Sequence, residues 1–314
     1  MPLPPELLWI RPLSQHFPHS CNSCAIVESD GRWTWIDPGA AGEDNLGQIQ
    51  NELGRHDLSL DRLIRVIVTH AHPDHLAAAG ALFERGCNAP IHCHPDAAAS
   101  ARDVEALIAT FDFNLALTRF PDHRNRVERY IERSVQFIFR GPAPFVATDP
   151  VTDLTEGTVL ECGPFSLECL ETPGHAPGHV SLFDRASGLL IAGDVVGRSL
   201  AWHSPSSGGA QQYLDSVERL SALDVSCLLP SHGEPTDEPD ELLSKMRKRL
   251  LDREQKLIDS IAAGPIPYGQ LYDRITNDPH RTRLFPYVPM IEGHLQRLAR
   301  AGEIVETDHV VARL

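Results

Sequence analysis

The 314-residue sequence has no excess of positive charge, no long apolar run and no ordered cysteine framework. Against 43 Asp and Glu there are only 28 Lys and Arg, a formal net charge of −15, which argues against a broad nucleic-acid-binding surface. No apolar stretch approaches the roughly 20 residues that a membrane-spanning helix needs. The start, Met1-Pro2-Leu3-Pro4-Pro5, lacks the basic and apolar regions of a secretion signal. These absences predict a cytoplasmic chain with no membrane partner. The seven cysteines are odd in number and scattered, the pattern of reduced thiols rather than of disulfides. Cys21-x-x-Cys24 has no second pair, and Cys24 leads into Ala25-Ile26-Val27, so it reads as part of a buried strand. Hydrophobic content of 42% and charged content of 23% are ordinary for a globular protein long enough for one large domain and a small one.

What is present concentrates in Val66-Ile67-Val68-Thr69-His70-Ala71-His72-Pro73-Asp74-His75, followed by an Ala-rich segment. The apolar run predicts a buried strand, the Ala-rich segment the start of a helix. In the extended turn between them, His70 and His72 can point to one side while Asp74 and His75 face a neighbouring volume. That spacing suits two adjacent metal ions, and imidazole and carboxylate are ligands that zinc, and with less preference iron or manganese, would take. Hairpins are expected about Ser29-Asp30-Gly31 and Ala186-Ser187-Gly188, and a helix over residues 43–60. Further strands lead into three more polar loops, at Pro173-Gly174-His175-Ala176-Pro177-Gly178-His179, at Gly193-Asp194 and at Ser231-His232-Gly233. Pro and Gly in the first of these favour a rigid loop. A carboxylate at the end of the apolar strand Leu189–Ala192 would be costly to bury alone, and a place between two cations removes the cost.

The pattern His-x-His-x-Asp-His, with the later His, Asp and His in this order, resembles the metallo-β-lactamase superfamily over roughly residues 20–236. The resemblance implies an α+β fold, an αββα sandwich, and two divalent ions, zinc first. It implies that His70, His72 and His175 hold one ion, Asp74, His75 and His232 the other, and that Asp194 bridges them. A hydroxide held by the ions would attack a carbonyl or phosphorus centre, with Asp74 steering it and moving a proton. Asp37, in Asp37-Pro38-Gly39, and His179 are expected to support the ligands from behind. The residue before His232 is Ser231 where the family usually has Gly. His92 and His94 fall outside the pattern and are expected to be structural.

Residues 103–150 read as a helical insertion, with helices at about 103–117 and 124–139 and six of the eleven Phe. It would pack on itself, form a dimer interface, or cover the metal site as an apolar lid. From Glu241 the charge balance changes to twelve basic against ten acidic residues, so residues 241–314 are expected to be a small domain separate from the catalytic domain, 1–240. A long helix from Pro239, a second from Val288 to Ala301 and a two-stranded ending suggest a winged helix. Arg249–Lys256, His294-Leu295-x-x-Leu298 and Gly302-Glu303-Ile304-Val305 resemble the appended domain of the beta-lactamase-like protein 2 group, which includes a mitochondrial endoribonuclease for single-stranded RNA. The near-neutral tail lacks the dense basic face that phosphate binding needs, so packing or homodimerisation is the favoured role. The favoured activity is hydrolysis of a thioester, lactone or small ester; RNA cleavage at the same site is the alternative. A flavo-di-iron redox role lacks a flavin domain.

Overall fold

A computed structural model describes residues 3–11, 20–41, 43–83, 86–137, 149–281 and 283–314. Strands β1 (Leu7–Ile10), β2 (Ser23–Val27), β3 (Trp33–Ile36), β4 (Leu63–Ile67) and β5 (Ile91–His92) form one sheet in that order. β6 (Val159–Cys162), β7 (Phe165–Glu171), β8 (Val180–Asp184), β9 (Leu189–Gly193) and β10 (Cys227–Pro230) form a second, also in sequence order. Helices α1 (Glu43–Arg55), α2 (Pro73–Phe83) and α3 (Pro95–Arg102) belong to the first half of the chain, α7 (Gly209–Ser221) and α8 (Pro239–Ile261) to the second.

Strand parity builds the layers, because successive side chains point to opposite faces. In β3, Trp33 and Trp35 join Ile49 and Leu53 of α1 and Leu76 of α2, whereas Ile36 faces the second sheet. In β9, Leu189 and Ile191 meet the first sheet; Leu190 and Ala192 meet Leu214 and Val217 of α7 and Leu243 and Met246 of α8. The result is helix, sheet, sheet, helix, the αββα sandwich that the family resemblance implies. Both inner strand faces are apolar, and β3, β8 and β9 are buried throughout.

Topology then collects the polar loops. β10 runs parallel to β9, and β7 is two antiparallel steps from β9, so β7, β9 and β10 end on the same edge of their sheet. β4 runs parallel to β3, and the segment after it is tied across the sandwich by Val180 N–H donating to Thr69 O at 2.9 Å.

The expected helix over 103–117 is instead two, α4 (Val104–Ala109) and α5 (Phe113–Arg119), because Asp112 between them takes a left-handed backbone, φ 51°. α6 (Arg124–Phe137) follows; residues 138–148, with Phe139 and Phe145, lie outside the described residues. The insertion does not pack only on itself. Ala116, Phe120 and Val127 share one core with the C-terminal unit, which comprises the end of α8, α9 (Tyr268–Thr276), α10 (Leu284–Arg300) and a small sheet. That sheet has three strands, not two: β13 (Val310–Arg313) lies between β12 (Ile304–Thr307) and the short β11 (Ile266–Pro267). β11 has only two residues, one of them Pro, too little for a strand pattern to show in the sequence. The expected helix over 43–60 stops at Arg55.

Arg119 joins insertion and C-terminal unit. Its guanidinium bonds Glu292 at 2.6 and 3.0 Å, reaches Glu306, and lies over the Tyr268 ring at 4.2 Å. Arg119→Ala leaves the buried Glu292 carboxylate unpaired and is expected to cost about 3–5 kcal/mol in denaturant unfolding. Removing both charges, in Arg119→Met with Glu292→Leu, should recover most of that; a single variant as stable as the wild type would contradict the assignment.

Candidate metal centre

His70 and His72 stand on the turn after β4, Asp74 and His75 on the first turn of α2, His175 in the loop after β7, Asp194 directly after β9 and His232 after β10. The edge brings all seven together. His70, His72 and His175 place ligating atoms within 4.8 Å of one another; so do Asp74, His75 and His232, and so do His70, His75 and Asp194. Asp194 lies between the groups, Oδ1 3.3 Å from His75 Nε2 and Oδ2 3.3 Å from His175 Nε2 and 3.6 Å from His232 Nε2. Asp74 Oδ2 is 3.2 Å from His232 Nε2. Three of these atoms, His72 Nε2, His75 Nε2 and Asp194 Oδ1, are buried with no hydrogen-bond partner. Buried polar atoms are rarely left so, and facing lone pairs of imidazole and carboxylate are what a divalent cation satisfies. The residues present fit a pair of such cations.

Charge follows the same plan. Burial, aided by the neighbouring imidazoles, holds His70 well below the ordinary histidine pKa; burial is also the main cause for His72 and His175, so these stay neutral. Burial opposes ionisation of Asp74 and Asp194, but His75 and His232 beside Asp74, and His232, His75 and His175 around Asp194, outweigh it; Asp74 is held down to about 2. Asp194 then lifts His232 to about 8, against burial and with help from Asp74.

Behind the ligands, hydrogen bonds fix which ring nitrogen faces inward. Asp37 accepts from Thr69 N–H at 2.8 Å and Thr69 Oγ1–H at 2.7 Å, and from His75 Nδ1–H at 2.9 Å. The Thr69 oxygen in turn accepts from His70 Nδ1–H at 3.1 Å. One buried carboxylate therefore orients two rings with their Nε2 atoms toward the cluster. His175 Nδ1–H donates to the Trp202 carbonyl at 2.6 Å. His179 lies beside the ligands and points elsewhere: its Nε2 accepts the Asp194 N–H at 3.0 Å, so its proton sits on Nδ1 and passes the bonding to Thr172 Oγ1, Ser181 Oγ and the Ala192 carbonyl. Burial pushes its pKa to about 3, consistent with that neutral form.

Two glycines make this possible. A Cβ on Gly174, φ +124°, would lie 2.4 Å from the Tyr213 backbone of α7, and one on Gly193, φ +59°, 2.4 Å from His179 Nε2.

Sequence reasoning missed Thr69 and Trp202, saw Phe111 only as one of the insertion's aromatics, and read Cys21 only as half of a lone CxxC. Thr69 sits inside the motif, where its hydroxyl could have been counted; Trp202 acts through its carbonyl, which no side-chain pattern reports. The Phe111 ring stacks on His72 at 5.2 Å and on Trp202 at 5.0 Å, and Phe285 closes the cluster from the C-terminal unit at 5.7 Å from Trp202. Cys21 approaches Asp37 and His75, but burial raises its thiol to about 12 and keeps it protonated. His92 and His94 are outside the cluster, paired with Asp153 at 2.9 Å and Glu171 at 3.1 Å.

The metallo-beta-lactamase superfamily profile matches residues 18–232, and the chain belongs to that superfamily. Relatives give the class of activity as metallo-hydrolase: the "Probable metallo-hydrolase YqjP" of Bacillus subtilis is 24% identical over 294 residues, 87% of this chain and 86% of that one. The structure of the metallo-beta-lactamase family protein TTHA1429 from Thermus thermophilus superposes with a TM-score of 0.77 at 20% identity, over 99% of both chains, and thus shares the fold along the whole length. A shorter match, 32% over 82 residues (26% of this chain, 32% of the other), is to a hydroxyacylglutathione hydrolase of Bdellovibrio bacteriovorus.

Asp37→Ala should weaken divalent-metal affinity by about 10–100-fold, the usual effect of losing a group that orients ligands. Competition with a chromophoric chelator measures it; unchanged affinity in the folded variant would contradict the orienting role.

Proposed function

We propose that the chain hydrolyses acyl thioesters, lactones or related small esters with the help of two divalent cations, zinc before iron or manganese. The observation that carries the reading is the cluster itself, with its three partnerless buried atoms, an aromatic ring stacked on His72 and an open groove that reaches His232. His70, His72 and His175 would hold one cation and Asp74, His75 and His232 the other, with Asp194 between them. When bound, two such cations supply Lewis acidity, polarising an acyl carbonyl and lowering the pKa of water.

The chain's own groups do the rest. Asp74, its side chain 22% exposed against 8% for Asp194, would take up a proton and pass it to the leaving group. Phe111 and Trp202 keep water from one side and offer an apolar surface to the acyl part. A groove of about 900 Å³ reaches His232 and runs past Arg198, Ser199 and Gly233 to Lys245, room for the thiol or alcohol part. A hydroxyacylglutathione is such a thioester, which is how the Bdellovibrio relative supports this reading. The seven cysteines are free, six of them buried, which fits a reducing, cytoplasmic setting.

Cleavage of single-stranded RNA at the same site is the second reading, favoured by the C-terminal helices and three-stranded sheet, which have the makings of a winged helix. Against it, Lys245, Lys248 and Arg247 on α8 are paired with Glu241, Asp252 and Glu218. No helix among the described residues is long and apolar enough to cross a membrane.

Two parallel assays decide, one with a panel of acyl thioesters and lactones, one with labelled single-stranded RNA. Chelator-sensitive turnover of an ester, abolished in Asp194→Ala and in His72→Ala, is expected, with RNA left intact. RNA cleavage lost in Asp194→Ala, without ester turnover, would overturn the proposal.

A further inference from the structure

Away from the metal cluster, three titratable side chains are buried in a row where the C-terminal unit meets the loop that carries Trp202. His203 and His294 have no exposed surface and Glu254 only 6%. Glu254 on α8 bonds His294 Nδ1 on α10 at 3.1 Å, His294 Nε2 lies 3.2 Å from His203 Nε2, and His203 Nδ1 lies 3.1 Å from the Ala201 carbonyl. Arg297 holds the other oxygen of Glu254.

The protons can be counted. A carbonyl only accepts, so His203 carries its proton on Nδ1 and presents a bare Nε2 to His294. Each of the three contacts needs one proton; two neutral imidazoles supply two. The row therefore binds one proton more than two neutral histidines and a carboxylate would hold. Burial first, then Arg253 and, for His294, Arg297, keeps both imidazoles neutral, while burial raises the Glu254 carboxyl, with Arg297 opposing. The third proton then lies in the Glu254–His294 contact, and the bonds run one way: from Glu254 to His294 Nδ1, from His294 Nε2–H to His203 Nε2, and from His203 Nδ1–H to Ala201 O.

The row ends at the metal centre's support. Ala201 N–H donates to the Tyr213 hydroxyl at 3.3 Å, which donates to the Asp194 carbonyl at 3.2 Å. The next residue, Trp202, offers the carbonyl that fixes His175. Both polar groups of Ala201 are thus held, one by His203, which His294 of the C-terminal unit backs, and one from beside Asp194.

We infer that Glu254, His294 and His203 are positioning residues, a one-way hydrogen-bonded row through which the C-terminal unit sets the Trp202 carbonyl against His175. The C-terminal unit then serves the catalytic centre directly, whatever else it binds. The inference rests on the reading of His175 as a metal ligand only for its effect on affinity.

The test uses the full chain in four forms: wild type, Glu254→Leu, His294→Leu and Glu254→Gln, with the double Leu variant as a fifth. Gln keeps a donor to His294 Nδ1 and an acceptor for Arg297, so it should preserve the row. Two readouts are taken: zinc affinity by competition with a chromophoric chelator, and ¹⁵N NMR of the histidine rings in metal-free protein, with circular dichroism to confirm folding. Expected are a proton on His203 Nδ1 and on His294 Nε2 in the wild type, and zinc affinity about tenfold weaker in both Leu variants, the low end of what removing a supporting partner costs. The double Leu variant should be no worse than either single one, and Glu254→Gln within about twofold of wild type. Protons on Nδ1 of both His203 and His294, or Glu254→Gln as impaired as Glu254→Leu, would overturn the row. Should the Leu variants fail to fold, Glu254→Gln and the wild-type ring protons still decide. A wild type with the expected ring protons that binds no zinc would refute the metal reading and uphold the row.

Discussion

Seven histidine and aspartate side chains crowd one edge of this sandwich, and they satisfy one another only in part. Imidazole Nε2 lone pairs face each other and face carboxylate oxygens, with three of the atoms buried and partnerless. Such an arrangement costs free energy that only cations or extra protons can offset. The rest of the molecule follows from this constraint: strands whose ends share an edge, glycines where a Cβ would push apart a helix or a ring, and a layer of hydrogen bonds that gives the outward-facing nitrogens fixed partners.

That supporting layer works by shared connection. Asp37 serves His75 directly and His70 through Thr69, so one carboxylate sets two ligands. His179 and Trp202 do the same for the Asp194 backbone and for His175. Each support comes from a different element of the fold, and the last is reached from the C-terminal unit. Insertion, C-terminal unit and catalytic sandwich are interlocked: Phe285 touches the aromatic wall, Arg119 pins the insertion to α10, and His203 meets His294.

How much of this the sequence disclosed depends on range. The candidate cluster His70, His72, Asp74 and His75 was legible from its spacing after an apolar strand, whereas His175, Asp194 and His232 were picked out by the family resemblance. The αββα layering was implied by the same resemblance, and the alternation of side chains along β3 and β9 agrees with it. Asp37 could be named from its turn, but its link to His70 runs through Thr69, 32 residues away in sequence, and is a fact of packing. Trp202 contributes a carbonyl, which every residue possesses, so no residue type betrays it. The insertion's aromatics were visible as a group; their division, with Phe111 and Phe113 toward the metal centre and Phe120 toward Tyr268 and Tyr272, required the break at Asp112 and the C-terminal core to be placed in space.

The central claim is that the shared edge forms a cage for two cations with Asp194 between them. Elemental analysis of metal per chain, on purified wild type and on folded Asp194→Ala equilibrated with zinc and freed of excess, tests it most directly. Two ions per wild-type chain, falling to one or none in the variant, is the result the account predicts. A single ion in the wild type, or two retained without Asp194, would contradict it.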